Sequence, residues 1–280
     1  MPDFSRSEFC GINGCCCTKR FTAIPWNPII QEETMIKFGL LTVVLIVVAG
    51  CGSFPSTQGM EREQIIQLAD QYYQSDKWAQ ASFLYTELMF RYPGDMETDM
   101  FLYRSGMADR NQKLWADAEF YFYRVVNEFP RGVWADDAQF ALAETMWMQR
   151  RDYRRDQTQV IRASEEIARF IETYPGSPLM DSADELSIRI NDHLAMRALF
   201  IGRFYIHRHE TDAALLYLRD ALDSYGETSC RGAVLIAMGD LYRSMDNSYS
   251  AKTYYSRALE TCELTASEEE EAMRGLQELE

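Results

Sequence analysis

The sequence predicts an all-α protein, a solenoid of about five stacked helix hairpins, and two observations lead to this prediction. A frame that opens on alanine and closes on proline twelve residues later occurs at Ala81 to Pro93, Ala118 to Pro130 and Ala163 to Pro175. Glycine and proline are otherwise sparse, at 15 and 8 of 280 residues, as expected of a helical protein. The frame therefore divides the chain into helix pairs of nearly constant length.

This frame is that of the tetratricopeptide repeat, and looser copies run from Ala214 to Gly226 and from Ala251 to Glu263. A small residue twelve positions before the alanine lets two helix backbones approach, and the proline ends the second helix. A large residue four positions after the alanine is expected to fill the groove between hairpins. The small residues are Ala69, Gly106, Gly202 and Gly239, and the large ones are Tyr85, Phe122, Ile167, Leu218 and Tyr255. Since one hairpin cannot bury its own apolar face, the hairpins must stack.

The first 50 residues differ from the rest. Residues 1–34 hold four of the seven cysteines without zinc-type spacing, and we expect them to be upstream translation or a discarded leader, with the true start at Met35. Residues 35–50 predict a signal peptide, with Lys37 before an apolar stretch too short to span a bilayer. The stretch ends in Val-Ala-Gly-Cys, which resembles the lipobox of bacterial lipoproteins and implies acylation of Cys51, palmitate included.

The remaining chain divides in order. Residues 51–60 predict a lipidated tether and residues 61–264 the five-repeat solenoid. In the third repeat the alanine comes late, and an insertion at about 150–160 predicts a charged, solvated loop. The fourth repeat predicts an extended first helix over about 178–208, because no helix breaker interrupts it. Residues 265–280 predict an acidic capping helix or tail, starting with a capping box between Ser267 and Glu270.

A lipobox followed by five repeats, with a charged third-repeat insertion and a long helix before the fourth, resembles the BamD family of outer-membrane assembly lipoproteins. The most specific matches are Arg155-Asp156-Gln157 in the insertion, Tyr174-Pro175-Gly176-Ser177 and Arg208. The resemblance covers roughly residues 51–264. The chain departs from the family at Gly226, where proline is expected, and at Tyr217, where the family often carries an arginine that is implicated in contact with the barrel subunit.

The resemblance implies a scaffold of the β-barrel assembly machinery (the BAM complex), lipid-anchored at the periplasmic face of the outer membrane. Its implied partners are a barrel-forming, BamA-like subunit, other assembly lipoproteins and the C-terminal segments of unfolded outer-membrane proteins. Contact with the barrel-forming subunit is implied for Arg155, Asp156, Gln157 and Arg208. The alternative is a solitary periplasmic adaptor lipoprotein, pilotin-like or serving cell-wall machinery.

One face of each first helix is predicted to line a concave groove that holds a substrate peptide. The groove residues are Tyr73, Tyr103, Met107, Arg110, Phe140 and Trp147. Family substrates end in an aromatic residue with a free carboxylate, which aromatic side chains and Arg110 would hold. Equally, these residues would pack the core between repeats, with Arg110 paired to Asp70 or Glu144.

Composition and motifs exclude other classes of function. A net charge of −15 argues against nucleic acid, whose phosphates need a basic face. The histidines at 193, 207 and 209 lack metal-ligand spacing, and no phosphate loop or nucleophile elbow is present. We therefore expect no enzyme activity, no cofactor and no metal.

One crosslink remains open. After the leader is removed and Cys51 is acylated, Cys230 and Cys262 are the remaining cysteines. They lie near the start and the end of the fifth hairpin, so a disulfide between them is expected in the oxidising periplasm. A rotation of one residue at a helix end would instead leave two separate thiols.

Overall fold

The computed structural model describes residues 54–225 and 228–280, and their regular structure is entirely helical. The signal sequence, Cys51 and Gly226 lie outside the described residues. The helices follow in chain order: α1 Arg62–Gln74, α2 Trp78–Arg91, α3 Thr98–Asn111, α4 Trp115–Glu128, α5 Ala135–Met148, α6 Thr158–Thr173, α7 Met180–His207, α8 Thr211–Ser224, α9 Arg231–Ser244, α10 Ser248–Thr261 and α11 Ala266–Gln277.

Each odd-numbered helix from α1 to α9 packs against the helix that follows it, which gives five hairpins in the described part of the chain. The first helices of successive hairpins also contact each other: α3 with α5, α5 with α7, and α7 with α9. The described second helices of successive hairpins make fewer contacts with one another. Closer spacing of the first helices curves the stack toward them, so they line its inner side. The predicted all-α repeat solenoid is confirmed.

The repeat frame has the expected physical basis. Its five alanines, at 81, 118, 163, 214 and 251, are completely buried. A Cβ added at Gly106 would lie 2.7 Å from the Phe122 ring, and one at Gly239 would lie 2.5 Å from the Tyr255 ring. The large residue thus covers the glycine of its own hairpin, and the prediction that it fills the groove between hairpins is wrong at these two positions. At Gly106 and Gly239 the absence of a Cβ lets the ring lie directly on the first helix.

Four of the five hairpins turn through a non-glycine residue with a left-handed backbone. Asp76, Lys113, His209 and Asp246 have φ between 57° and 62°, and each lies five positions before its repeat alanine. The following amide closes the turn on the first helix, as when Leu114 N donates to Asp109 O at 2.9 Å. The third hairpin has no such turn, because the insertion stands between α5 and α6.

The C-terminal helix α11 covers the end of the stack against α9 and α10. A Cβ at Gly275 would lie 2.5 Å from the Tyr255 ring, so α11 contacts the other face of that tyrosine. The capping box that starts the helix joins Thr265 and Glu268, two residues earlier than the predicted pair Ser267 and Glu270. The earlier threonine wins because its extended backbone aims its hydroxyl at the first free amides of the helix.

The disulfide expected between Cys230 and Cys262 is absent, and both thiols are free. Cys262 is the extended cap that ends α10, and its Cβ lies 3.3 Å from the Cβ position of Gly232. Cys230 packs instead against the core around α7 and α8, while Cys262 packs against the core of the last hairpin. Cys262 therefore lies beside Gly232, two residues after Cys230, and the two thiols are directed into different cores.

Within the described residues, none of the helices combines the length and the apolar character that a membrane crossing requires.

Candidate functional site

The inner side of the first two hairpins holds a pocket of about 330 Å³. It is lined by Asp70, Tyr73 and Gln74 of α1, by Tyr103 and Arg104 of α3, and by Trp134. Tyr103 stacks on Trp134 with ring centroids 4.9 Å apart and planes inclined by 23°. Burial raises the pKa of Tyr103 to about 12, so its hydroxyl stays protonated at neutral pH. The pocket is thus uncharged and aromatic on one side.

Its other side is a polar network around Asp70. The Tyr85 hydroxyl donates to Asp70 Oδ1 at 2.6 Å, and the Arg104 guanidinium is paired with the same carboxylate. Arg104 also lies over the Tyr73 ring, 6.0 Å from its centroid. Sequence reasoning missed Arg104 and Trp134. The tyrosine–aspartate pair repeats fifteen residues apart in the fifth hairpin as Tyr255 and Asp240, which is the signal that marks Asp70 as a shared acceptor.

Arg110, the predicted carboxylate partner, forms an ion pair with Glu144. Its side chain is only 13% exposed, which leaves little surface for a ligand. Of the two alternatives that the sequence left open, the structure therefore has internal pairing for Arg110. Met107 packs against the same core as its neighbours from α5 and α6.

The other predicted groove residues in α5 also face inward. Phe140 meets the ring of Phe170 edge-on at 5.8 Å. Trp147 is buried, with the Arg150 guanidinium 4.4 Å from its centroid and His193 edge-on at 5.7 Å. The six predicted residues thus divide: Tyr73 and Tyr103 line an open pocket, and the remaining four pack within or between repeats.

The insertion between α5 and α6 is an ordered loop that folds around one buried side chain, Gln157. Its Nε2 donates to the carbonyl of Asp152 at 2.9 Å and of Arg155 at 3.0 Å. Its Oε1 lies 2.7 Å from Nε2 of His193 on α7. All three polar bonds satisfy an amide that is 4% exposed, so Gln157 holds the loop against the long helix.

A second helix residue fastens the same loop. Nη1 of Arg197 donates to the carbonyl of Tyr153 at 2.9 Å and of Arg155 at 2.6 Å. Asp156 accepts hydrogen bonds from the amide and the hydroxyl of Thr158, the first residue of α6. Two members of the Arg-Asp-Gln motif therefore shape the loop, and the third, Arg155, is exposed and makes no ion pair among the described residues.

Beside this loop, α7 presents an exposed aromatic stripe. Phe200 and Phe204 are about half exposed and lie four residues apart on one face of the helix. Arg154 lies over the Phe200 ring at 5.5 Å, and Arg208 lies over the Phe204 ring at 5.6 Å. We call Arg154, Arg155, Phe200, Phe204 and Arg208 the loop–α7 surface. It combines positive charge with apolar area on a chain that is strongly acidic as a whole.

A model of the family described as YfiO, an outer membrane lipoprotein, matches residues 58–257, which is most of the chain. The chain belongs to this family. It is therefore a protein-interaction scaffold of the outer-membrane lipoprotein class, and the resemblance indicated by its sequence motifs is confirmed.

No curated protein sequence matches the chain significantly. Among solved structures, it is similar to TTC0263, a thermophilic TPR protein of Thermus thermophilus, at 20% identity over 78% of this chain and 100% of that one, with a TM-score of 0.35. It is also similar to a tetratricopeptide repeat protein of Parabacteroides merdae, at 12% identity over 79% and 93% of the two chains, with a TM-score of 0.36.

Proposed function

We propose that this protein is the lipid-anchored scaffold of a β-barrel assembly machinery at the periplasmic face of the outer membrane. In this role it binds a BamA-like, barrel-forming subunit and receives unfolded outer-membrane proteins. The observation that carries the proposal is the loop–α7 surface, where the motif loop is fastened to the long helix and presents Arg155 outward. Membership of the outer membrane lipoprotein family supports the same location.

The loop–α7 surface has the properties of a protein-binding hot spot. Arginine and aromatic side chains supply most of the binding energy at protein interfaces, and preorganised ones lose less entropy on binding. Here Gln157 and Arg197 hold the loop backbone before any partner arrives. Arg208 is paired with Glu210, whereas Arg154 and Arg155 form no salt bridge among the described residues, so these two loop arginines favour an acidic patch on the partner.

The pocket around Tyr103 is proposed to hold the C-terminal aromatic residue of a substrate protein. An aromatic ring fits between Tyr73, Tyr103 and Trp134, where edge and stacking contacts are available. The cation beside the pocket is Arg104 and not Arg110, because Arg110 forms an ion pair with Glu144 and is almost buried. A substrate carboxylate would share Arg104 with Asp70.

The anchor is proposed to be Cys51, the cysteine after Val48-Ala49-Gly50. Acylation of its thiol and of its freed amine gives the several chains that stable anchoring needs. Mass spectrometry of the N-terminal peptide of the mature protein tests it directly. A modified Cys51 with residues 1–50 absent is expected, and an unmodified Cys51 or a retained leader would refute the anchor.

The partner is tested by isolating the tagged full-length lipoprotein in mild detergent. Recovery of a barrel-forming subunit is expected, with a loss of at least about tenfold in the Arg155→Glu variant, since reversing a charge at an interface costs several times RT. Arg257→Glu is the matched control, because Arg257 is also exposed but lies on α10. Recovery of a secretin or a cell-wall synthase without the barrel-forming subunit would favour the solitary adaptor instead.

The substrate pocket is tested with a photo-crosslinker at position 103 and a peptide that ends in an aromatic residue with a free carboxylate. Crosslinks from position 103 are expected, and a matched peptide with an amidated C-terminus should bind more weakly. A crosslinker at position 249, an exposed position on α10, is the control. Equal crosslinking from both positions would contradict a specific pocket.

A further inference from the structure

The outer face of α2 is unusual because every exposed residue on it is uncharged. These residues are Phe83, Thr86 and Phe90, spaced three and four apart so that they form one stripe along the helix. Phe90 is 86% exposed, so its ring has almost no contact with the rest of the molecule. An exposed apolar stripe on a soluble helix costs free energy and is typical of an interaction surface.

Two further elements extend this stripe. The tether residue Phe54, itself 58% exposed, meets Phe83 with ring centroids 5.0 Å apart. Phe120, which is about half exposed, lies on α4, the second helix of the next hairpin. Together with Phe90 it lines a groove of about 510 Å³ between α2 and α4. We call Phe54, Phe83, Phe90 and Phe120 the outer aromatic face.

The repeat fold itself does not require these aromatics. In the fifth hairpin, Thr253 and Glu260 occupy the positions that correspond to Phe83 and Phe90, counted from the repeat alanines Ala251 and Ala81. Both are exposed on α10, which still packs in its hairpin through the buried Ala251, Tyr255 and Ala258. The aromatic residues of the first hairpin therefore serve something other than folding.

The position of the proposed lipid anchor, Cys51, indicates that a lipid surface covers the outer aromatic face. Cys51 precedes Phe54 by three residues, which span at most about 10 Å even when fully extended. Acyl chains attached at Cys51 would enter the bilayer within that distance of Phe54. We propose that the outer aromatic face docks on the lipid surface as a second membrane contact, which orients the solenoid relative to the bilayer. This inference rests on the proposed acylation of Cys51.

Charge favours lipid headgroups of no net charge as the surface that is contacted. The two arginines beside the stripe are neutralised, Arg91 by Glu87 and Arg124 by Glu128. A chain of net charge −15 gains nothing from anionic lipid, so its contact must come from aromatic rings at the headgroup level. The acyl chains at Cys51 supply the attachment, and the apolar patch adds a second contact that fixes the orientation of the solenoid.

The test uses the mature chain with Cys51→Ser, which has no acyl group, and neutral phosphatidylcholine vesicles in a flotation assay. The chain is expected to float with the vesicles, and Phe90→Ser is expected to lower its partition about five- to tenfold, as loss of one inserted ring should. Tyr249→Ser is the matched control, because Tyr249 is 85% exposed but lies on α10, and it should leave partition unchanged. Circular dichroism confirms that each variant is folded.

Three results would overturn docking on lipid: no flotation of the Cys51→Ser chain, equal partition of the Phe90 and Tyr249 variants, or partition that falls steeply as salt is added. The last would indicate ionic binding. Since this chain carries no acyl group, the assay is independent of the mass spectrometry on Cys51. A failure of the anchor and a failure of the aromatic face are therefore distinguished.

A second measurement uses the acylated protein in vesicles. A nitroxide is placed at position 86 (Thr86→Cys) or at the corresponding position 256 (Ser256→Cys), in a background with Cys230→Ser and Cys262→Ser. Membrane-dissolved oxygen is expected to relax the label at position 86 severalfold faster than the label at position 256. Equal relaxation at the two positions would place the face in water and refute the inference.

Discussion

Oε1 of Gln157 accepts a hydrogen bond of 2.7 Å from Nε2 of His193, across 36 residues of sequence. The bond joins the inserted loop to the middle of the long helix α7. Because an amide oxygen can only accept, the His193 ring must carry its proton on Nε2 in this arrangement. The two residues therefore fix both the loop position and the tautomer of the histidine.

Replacing Gln157 with alanine should release the loop. The Asp152 carbonyl and His193 would lose their partner in a mostly buried site, so we expect the free energy of unfolding to fall by about 1–3 kcal/mol. The Arg155 carbonyl would keep its hydrogen bond from Arg197. Hydrogen exchange at residues 150–157 should accelerate. Thermal unfolding measures the first effect, and the exposed Arg155→Ala is the control that should leave stability unchanged. Equal effects of the two substitutions would contradict the role of Gln157.

Protonation of His193 should destabilise the fold. Burial, followed by the charge of Arg150, lowers the pKa of His193 below its usual value of about 6.5. The unfolded chain therefore binds the proton more tightly, and stability contributed above the unfolded pKa is lost as the pH falls through the folded pKa. Opposing contributions from Asp152 and the Arg151 backbone do not reverse the shift.

We accordingly expect the unfolding free energy to decrease between about pH 7 and pH 5, with a shallower decrease in the His193→Gln variant. His207→Gln changes an exposed histidine on the same helix and serves as the control. Urea titrations at several pH values measure the slope. An identical slope in the wild type and the His193 variant would show that another group is responsible.

The glycine of the second repeat should not tolerate a methyl group. A Cβ at Gly106 would lie 2.7 Å from the buried Phe122 ring, so Gly106→Ala should cost about 1–3 kcal/mol through forced repacking. At Gly176 a Cβ meets nothing within 4 Å, and the same substitution should change stability by less than about 1 kcal/mol. Chemical denaturation compares the two, and a neutral Gly106→Ala would contradict the close packing.

Both cysteines of the fifth hairpin should remain thiols in the periplasm. Cys262 lies beside Gly232 rather than Cys230, and burial raises the pKa of the Cys230 thiol, which slows its oxidation. Protein that is denatured without reductant should take up a maleimide at both positions. Protection of the pair until reductant is added would establish the bond that the structure lacks.

Much of the fold could be predicted because it depends on contacts that recur at fixed spacing. The spacing of twelve residues from Gly106 to Ala118 recurs from Gly202 to Ala214, and it predicts both the helix pairs and the small residues where the two helices approach. Only the tertiary packing decided that Phe122 covers Gly106 of its own hairpin and not the groove between hairpins. The long helix α7 could also be predicted from the sequence, because no helix breaker interrupts residues 180–207. Position along the chain determines the helix pairs and the length of α7, so the sequence alone determined these features.

The candidate sites depended on contacts between repeats, which have no fixed spacing. Sequence could name Arg110 as a cation on the groove side, but only the packing of α3 against α5 decided that Glu144 occupies it. Likewise, the Arg-Asp-Gln motif could be recognised in the sequence. That Gln157 is buried and Arg155 is exposed follows only from their contacts with His193 and Arg197 of α7. Small rotations between stacked helices choose these partners, and so the tertiary structure alone decided them.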